Sequence, residues 1–321
     1  MNQLNCAVIG TGYLGRFHAQ KYQKISAVRL VGVCDVNSAA AQAVGLELNV
    51  PHYTDYRLLF DQVDAVSIAV STREHYAIAL EFIERGIHVL IEKPVTETVE
   101  QALDLIRAAE KMRVKCQVGH LERFNAARLA IGPYLHNPLF IDAQRLAPFT
   151  PRGADVNVIL DLMIHDIDLI QTMVKSPIRK IEAHGAVVLS ADIDIANARL
   201  TFENNCVANI SASRVSFKKE RKTRIFQSNS YIVVDDQAQS FSVFKKGAGE
   251  MFPGIPNVEQ HQSTFESRDA LLEEITAFVE CVKNDTTPLV TATDGCNALI
   301  TAGKITALIH QHLNVLECAE Q

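Results

Sequence analysis

The sequence predicts two kinds of architecture in one chain. The first is a doubly wound α/β domain with a parallel sheet. The second is an α+β domain with a largely antiparallel open sheet and helices. Three observations carry this. Short apolar runs alternate with helical patterns from residue 4 to 120, and a glycine-rich turn follows the first of them. After residue 120 the rhythm changes to long strand-like runs joined by turn residues.

In order, "LNCAVIG" reads as a strand, 14–24 as a helix, "VRLVGVCD" as a strand and 38–45 as a helix. "DAVSIAV", "HVLIEKP" and "KCQVGH" are further strands, separated by helices at 74–86 and 97–111. Thr96 or Thr98 is available to cap the last of these helices. Short strands alternating with helices must be parallel, with helices covering both faces. Residues 1–120 are therefore expected to form one domain and 121–321 another.

In the second half, a helix is expected over about 156–174, ending before Ser176-Pro177. "IRKIEAHGAVV", "IANARLTFEN", "CVANISASRV", "KTRIFQSNSYIVVDD" and "SFSVFKK" read as strands, with turns at Asn204-Asn205, Ser228-Asn229 and Asp235-Asp236. "GAGEMFPGIPNVEQ" reads as a loop because of its Gly and Pro content. Helical patterns at 267–284 and 294–313 close the chain, and the last helices (about 290–314) are expected to pack back on the first domain. Ile193, Ile195, Ala198 and Leu200 suggest that the sheet face away from the helix is not fully polar. Such a face tends to be covered by a second copy, as a homodimer or homotetramer.

With 321 residues, 48% hydrophobic and 21% charged, the chain can bury two cores. A net charge of −6 argues against a nucleic-acid partner. The seven cysteines are odd in number and never form C-x-x-C, so reduced thiols in a cytoplasmic protein are expected, without zinc. The opening "MNQLNCAVIG" has no basic segment before an apolar core, and no run reaches the ~18 apolar residues of a membrane span.

"AVIGTGYLGRFHA" places Gly10, Thr11, Gly12, Tyr13, Leu14 and Gly15 between a strand and a helix. In a dinucleotide fingerprint the first glycine permits the turn, the second lets the backbone approach a pyrophosphate, and the third allows close packing. The helix N-terminus offers unpaired N–H groups to phosphate. Asp35 ends the second strand twenty residues after Gly15. It is placed to accept from the ribose hydroxyls and to repel a 2′-phosphate, so NAD is preferred to NADP.

Two segments carry the chemistry. "VLIEKP" ends a buried strand with Glu92, Lys93 and Pro94, and ligands bind beyond the carboxyl ends of such strands. In "LDLMIHDIDLI", residues 160–170, Asp161, His165 and Asp168 share one helical face beside Leu160, Ile164 and Ile167. The bland reading is a surface helix with an acidic face and a solvated histidine. A metal pair at i, i+4 is the rival reading, but no third ligand is evident.

"AVIGTGYLG", Asp35, "STREHYAIALEFIERGIHVLIEKPVTETVEQALDLIRAAEK", "VGHLERFNAA" and "DLMIHDIDLI" together resemble the Gfo/Idh/MocA family, the glucose–fructose oxidoreductase and inositol dehydrogenase group. The resemblance runs nearly continuously over residues 4–175. It implies an NAD(P)-dependent dehydrogenase moving hydride between nicotinamide and a secondary alcohol carbon of a sugar or cyclitol. It also implies that Ser71, Thr72, His75, Glu92 and Lys93 line the cofactor site, and that Lys93, Asp161 and His165 are catalytic. The polar helix face would then look into a cleft between the domains. His165, with an ordinary pKa near ~6.5, would remove the hydroxyl proton. Asp161 would hold the imidazole, and Lys93 would stabilise alkoxide charge. The sequence departs from the family at Ser71-Thr72, where a Thr-Pro pair is common, and at "RGADVNVIL", where a glycine-rich approach is common.

Glu122, Arg123 and Asn125 of "GHLERFNAA", with Arg152 and Arg214, are candidate substrate contacts. Arg145 joins them, as do the cations Lys218, Lys219, Arg221, Lys222 and Arg224, because guanidinium groups suit phosphates. The other reading of the cations is a basic sheet edge that resists pairing. The combination looks most like the family's bacterial nucleotide-sugar branch, acting on UDP-N-acetylglucosamine for lipid A precursor synthesis. A free sugar or inositol dehydrogenase is the alternative. A non-catalytic NAD-sensing protein is a third reading, which Lys93 with His165 argues against.

Overall fold

The computed structural model describes residues 3–150, 156–266 and 268–319. They divide into two compact units, Met1–Phe124 with Asp269–Leu299, and Asn125–Arg268 with Ile300–Gln321. The residues 121–124 and 269–299, expected in the second domain, thus cluster with the first.

In the first unit β1 (Leu4–Ile9), β2 (Val28–Cys34), β3 (His52–Tyr53), β4 (Ala65–Ile68), β5 (His88–Glu92) and β6 (Cys116–Gly119) form one sheet in the order β3-β2-β1-β4-β5-β6. Every pairing is parallel. The chain leaves β1 toward β2 on one side and later returns to β4 on the other, so the crevice at the carboxyl ends of β1 and β4 is where a ligand is held in such sheets. The helices α1 (Tyr13–Lys24), α2 (Ser38–Leu48), α3 (Thr72–Ile83) and α4 (Val99–Met112) connect the strands. Thr98 caps α4 in a reciprocal box with Gln101, as its sequence suggests. The core on one face joins Cys6, Val8, Tyr22 and Leu90 to Ile275, Phe278 and Val279 of α7 (Ala270–Lys283).

In the second unit a short helix α5 (Ala126–Ala130) precedes β7 (Phe140–Leu146), and α6 (Ile164–Val174) precedes β8 (Ile178–Ala186). The strands β9 (Ile195–Phe202), β10 (Val207–Ser213), β11 (Glu220–Phe226), β12 (Ser230–Asp235), β13 (Ser240–Phe252) and β14 (Ile255–Thr264) follow. The sheet order is β14-β13-β12-β11-β7-β10-β9-β8, antiparallel except between β7 and β10. The last helix, α8 (Ala292–Ala319), begins in the first unit and ends in the second.

Several expectations change here. "GAGEMFPGIPNVEQ" is a hairpin, not a loop: it completes β13 and builds β14 around a turn at Gly254, where φ is +80°. Register breaks near Lys246 and Glu250 absorb the residues that look like punctuation. β11 lies inside the sheet, so its cations do not protect an edge. In β9, Ala196, Ala198, Leu200 and Phe202 face the core, while Ile195 is 42% exposed on the other face. That outer face is indeed not fully polar, but its apolar stripe runs elsewhere, as rings stacked across four strands. Phe140 lies 5.7 Å from Phe226, Phe226 4.6 Å from Tyr231, and Tyr231 5.7 Å from Phe244.

Candidate active site

The glycines after β1 have three different surroundings. Gly10 has φ +91°, and a Cβ there would lie 2.4 Å from the Ala69 carbonyl oxygen. A Cβ on Gly15 would lie 1.8 Å from the Gly10 carbonyl oxygen, so helix and turn pack backbone to backbone. A Cβ on Gly12 would meet nothing within 4 Å. The protein itself does not require glycine at 12, whereas a ligand backed onto the turn would. Gly12 is also the N-cap of α1 and has no side chain to cap it, so the first N–H groups of the helix suit an anion. Tyr13 beside it is 63% exposed and Leu14 37%. These features fit a dinucleotide.

Asp35, just after β2, reaches back to this turn. Its Oδ2 accepts from the Thr11 N–H at 2.7 Å and from the Thr11 hydroxyl at 3.1 Å, and its Oδ1 accepts from the Asn37 N–H at 2.9 Å. A carboxylate has about four acceptor positions, so room for one ribose hydroxyl remains beside these three bonds.

At the end of β5, Lys93 is half-buried and its N–H donates to Glu92 Oε2 at 3.3 Å. Ser71 caps α3 by position only; its hydroxyl makes no cap bond and is exposed, while Thr72 is half-buried. His75, expected to line the cofactor site, has both ring nitrogens against backbone carbonyls. It is buried, with Nδ1 2.9 Å from the Pro94 carbonyl oxygen and Nε2 3.2 Å from that of Val70. Burial pushes it below the ordinary histidine value, against the pull of these carbonyls, and the ring bridges the loop after β4 and the loop after β5. Glu92 is also buried; its Oε1 lies 2.8 Å from His18 Nε2 on α1. It too shapes the strand end.

In the second unit the helix of residues 160–170 is not a surface helix. Ile159, Met163, Ile164 and Ile167 are wholly buried, as are the side chains of Asp166 and Asp168. Ile159–Met163 is one π-helical turn that passes into α6. Such turns are uncommon and cluster at functional sites. The Asn157 side chain starts it by accepting from the Leu160 N–H at 3.1 Å. Asp161 and His165 are half-buried around this turn, whereas Asp168 is buried and does not share their exposure. Asp166 is accounted for by Arg145, whose Nε and Nη2 donate to its two oxygens at 2.8 and 3.1 Å.

The candidate substrate residues divide sharply. Arg214 is buried, donating to Asp194 Oδ1 at 2.7 Å and to the Ser190 hydroxyl at 2.8 Å, so it secures the loop before β9. Asn125 is buried as the cap of α5 and donates to the Asp236 carbonyl. Arg145, held by Asp166, is structural as well. Arg123 donates to the Leu289 carbonyl at 3.3 Å and lies 3.5 Å from Asp294, while Glu122 is half-buried. Lys222 and Arg224 face Asp235 and Asp142 across strands at 3.8 and 3.0 Å. Lys218 and Lys219 are exposed. Arg152 lies outside the described residues. The cationic run is therefore a set of separate contacts, which its spacing in sequence does not reveal.

His18 and Glu274 were not anticipated. Glu274 sits among the buried positions of α7 with Ile275, Phe278 and Cys281, and an acid at a core position of an amphipathic helix was the available signal.

Comparison with known proteins agrees with this geometry. Residues 4–120 match the oxidoreductase family with an NAD-binding Rossmann fold, GFO/IDH/MocA, and residues 130–233 match the GFO/IDH/MocA C-terminal domain. The chain is 39% identical over 287 residues to UDP-N-acetylglucosamine 3-dehydrogenase of Acidithiobacillus ferrooxidans, covering 88% of this chain and 90% of that protein. A crystal form of that enzyme superposes with a TM-score of 0.89 at 33% identity, covering 96% of this chain and 98% of the other. The scyllo-inositol 2-dehydrogenase of Bacillus subtilis is 26% identical over 91% of this chain and 90% of its own length. The chain belongs to the GFO/IDH/MocA family of NAD-binding oxidoreductases.

Proposed function

We propose that the protein is an NAD-dependent dehydrogenase oxidising a secondary hydroxyl of a nucleotide sugar, with carbon 3 of UDP-N-acetylglucosamine as the preferred target. The carrying observation is the 39% identity, sustained over 88% of the chain, to an enzyme of that name. The bound nicotinamide supplies the hydride acceptor. Within the chain, Lys93, Asp161 and His165 carry the chemical step. An alcohol gives up hydride poorly while its proton remains, so His165 takes the proton as general base. Asp161 orients the imidazole and balances its charge, and the Lys93 ammonium stabilises negative charge on the oxygen. Asp35 accepts from the adenosine ribose and disfavours a 2′-phosphate, which selects NAD over NADP. Exposed Lys218 and Lys219 are candidates for contact with a diphosphate, with Arg152 a further one.

The outer face of the large sheet, with its four stacked rings, is the surface through which two copies pair. A second reading, an inositol or free-sugar dehydrogenase, is supported by the 26% identity to scyllo-inositol 2-dehydrogenase over most of the chain. NADH absorbance with UDP-N-acetylglucosamine, other UDP-hexoses, myo-inositol, scyllo-inositol and aldoses as separate substrates tests both. Turnover confined to the cyclitols would replace the first reading with the second.

A further inference from the structure

Beneath the carboxyl end of β5, three ionisable side chains share one buried space. They are His18 of α1, Glu92 of β5 and Glu274 of α7, and their ligand-type atoms all lie within 4.8 Å of one another. His18 Nε2 lies 2.8 Å from Glu92 Oε1. Neither carboxyl oxygen of Glu274 has a hydrogen-bond partner, although the side chain is wholly buried. Two neighbouring groups are likewise partly unsatisfied: His18 at Nδ1, and Gln117 of β6 at Oε1. The Gln117 amide instead donates to the backbone carbonyl of Glu274. Tyr22 of α1 is bonded to the Ser67 hydroxyl, and Cys6 of β1 lies in the same core. Lys93 follows Glu92 directly.

A carboxylate at Glu274 would be an anion without a donor, close to a second anion and out of water. A neutral acid removes the charge and itself brings a proton to a space it shares with the Glu92 carboxylate and the His18 ring. We propose that Glu274 is a positioning residue: as a neutral acid it adds no second charge beside Glu92, offers that carboxylate a proton donor, and so fixes the strand end that carries Lys93. This rests on Lys93 acting in the chemical step. Burial, and then the Glu92 charge, push Glu274 well above the ordinary carboxylate range. Burial opposes ionisation of Glu92 too, but the His18 hydrogen bond and charge outweigh it and hold Glu92 below that range.

The test uses full-length Glu274→Gln and Glu274→Leu, with elemental analysis of the purified protein. A group that binds its proton in the folded but not the unfolded chain loses stability as pH rises above the unfolded value, near ~4.3 for Glu. The wild-type folding constant should therefore fall relative to Glu274→Gln by about tenfold per pH unit between pH 5 and 7, read by urea unfolding. Glu274→Gln should keep kcat within about twofold. Glu274→Leu should lose roughly tenfold in kcat, with NAD affinity little changed. Parallel unfolding of wild type and Glu274→Gln across that pH range would overturn the proposal. So would full activity in Glu274→Leu, or one divalent metal per chain in place of the proton. A further tenfold loss on adding Glu274→Leu to Lys93→Met would also overturn it, because the effect would bypass Lys93. An unimpaired Lys93→Met alone would instead sink the catalytic reading of Lys93, while the pH slope still reports the protonation of Glu274.

Discussion

Thr11 and Asp35 are joined twice, through the Thr11 N–H at 2.7 Å and its hydroxyl at 3.1 Å, both to one carboxylate oxygen. The acid proposed to select the cofactor is thereby fixed to the glycine turn. Asp35→Ser combined with Val36→Arg should move preference toward NADP, because Val36 is almost fully exposed and can present a guanidinium without repacking. Fluorescence titration with both cofactors reads this directly. Tighter binding of NADP than NAD by the unmodified protein would contradict the role given to Asp35.

The same turn offers a matched pair of substitutions. Gly12→Ala meets no protein atom, so the melting temperature should hold while NAD affinity falls about tenfold or more, roughly 1.4 kcal/mol. Gly15→Ala meets the Gly10 carbonyl oxygen and should destabilise the chain by about 1–3 kcal/mol. Calorimetry without and with NAD separates the two effects. Equal melting losses would mean that the open space at Gly12 is not a ligand's.

His165→Ala and Lys93→Met should each lower single-turnover NADH formation by roughly 10²–10⁴-fold. Cofactor affinity should change far less, since Asp35 and the glycine turn are untouched. Losses of rate and NAD affinity in proportion would point to a damaged fold instead.

Asp194 should shape the acid limb of stability. Burial alone would raise its pKa, but hydrogen bonds from the Ser190 hydroxyl and N–H, the Leu189 N–H and Arg214 outweigh that and depress it strongly. A depressed carboxyl contributes stability that is present above its unfolded value, near ~3.9, and is lost as pH falls toward the folded value. Asp194→Asn should therefore lower the melting temperature at pH 7 and flatten its decline below about pH 4. A wild-type acid limb of the same steepness in the variant would rule this out.

Pairing through the ring stripe should make the protein a dimer or tetramer at micromolar concentration. Phe226→Ser with Tyr231→Ser should shift the sedimentation boundary to the monomer without unfolding the chain. A wild-type monomer by sedimentation would remove the pairing.

Most of the first unit was legible because its elements carry local signals, although the two-residue β3 was passed over. Thr98 and Gln101 announce α4, and the glycines and Asp35 announce the turn they build. Where the signal is not local, sequence reading failed. β7 is a different miss: "FIDAQRL" alternates apolar with polar residues between Asn137-Pro138 and Pro148, a local strand signal that was passed over. Arg214 and Asn125 look like substrate contacts until their partners, Asp194 and Asp236, arrive from distant positions. The contacts of His75 are likewise not local in sequence, since its carbonyl partners belong to two loops. Lys93, Asp161 and His165 stood out only through the motifs around them.

Synthesis imposes an order on the first unit that its contacts do not respect. A ribosome that has released residues 1–124 has delivered all six strands of the parallel sheet, yet the core around Cys6, Tyr22 and Leu90 still lacks Ile275, Phe278 and Val279. That apolar strip must wait through the translation of the entire second sheet, at about 5–20 residues per second. The nascent first unit therefore keeps an apolar strip open until Ile275, Phe278 and Val279 have been made. A version cut after residue 124 would meet the same exposed strip permanently.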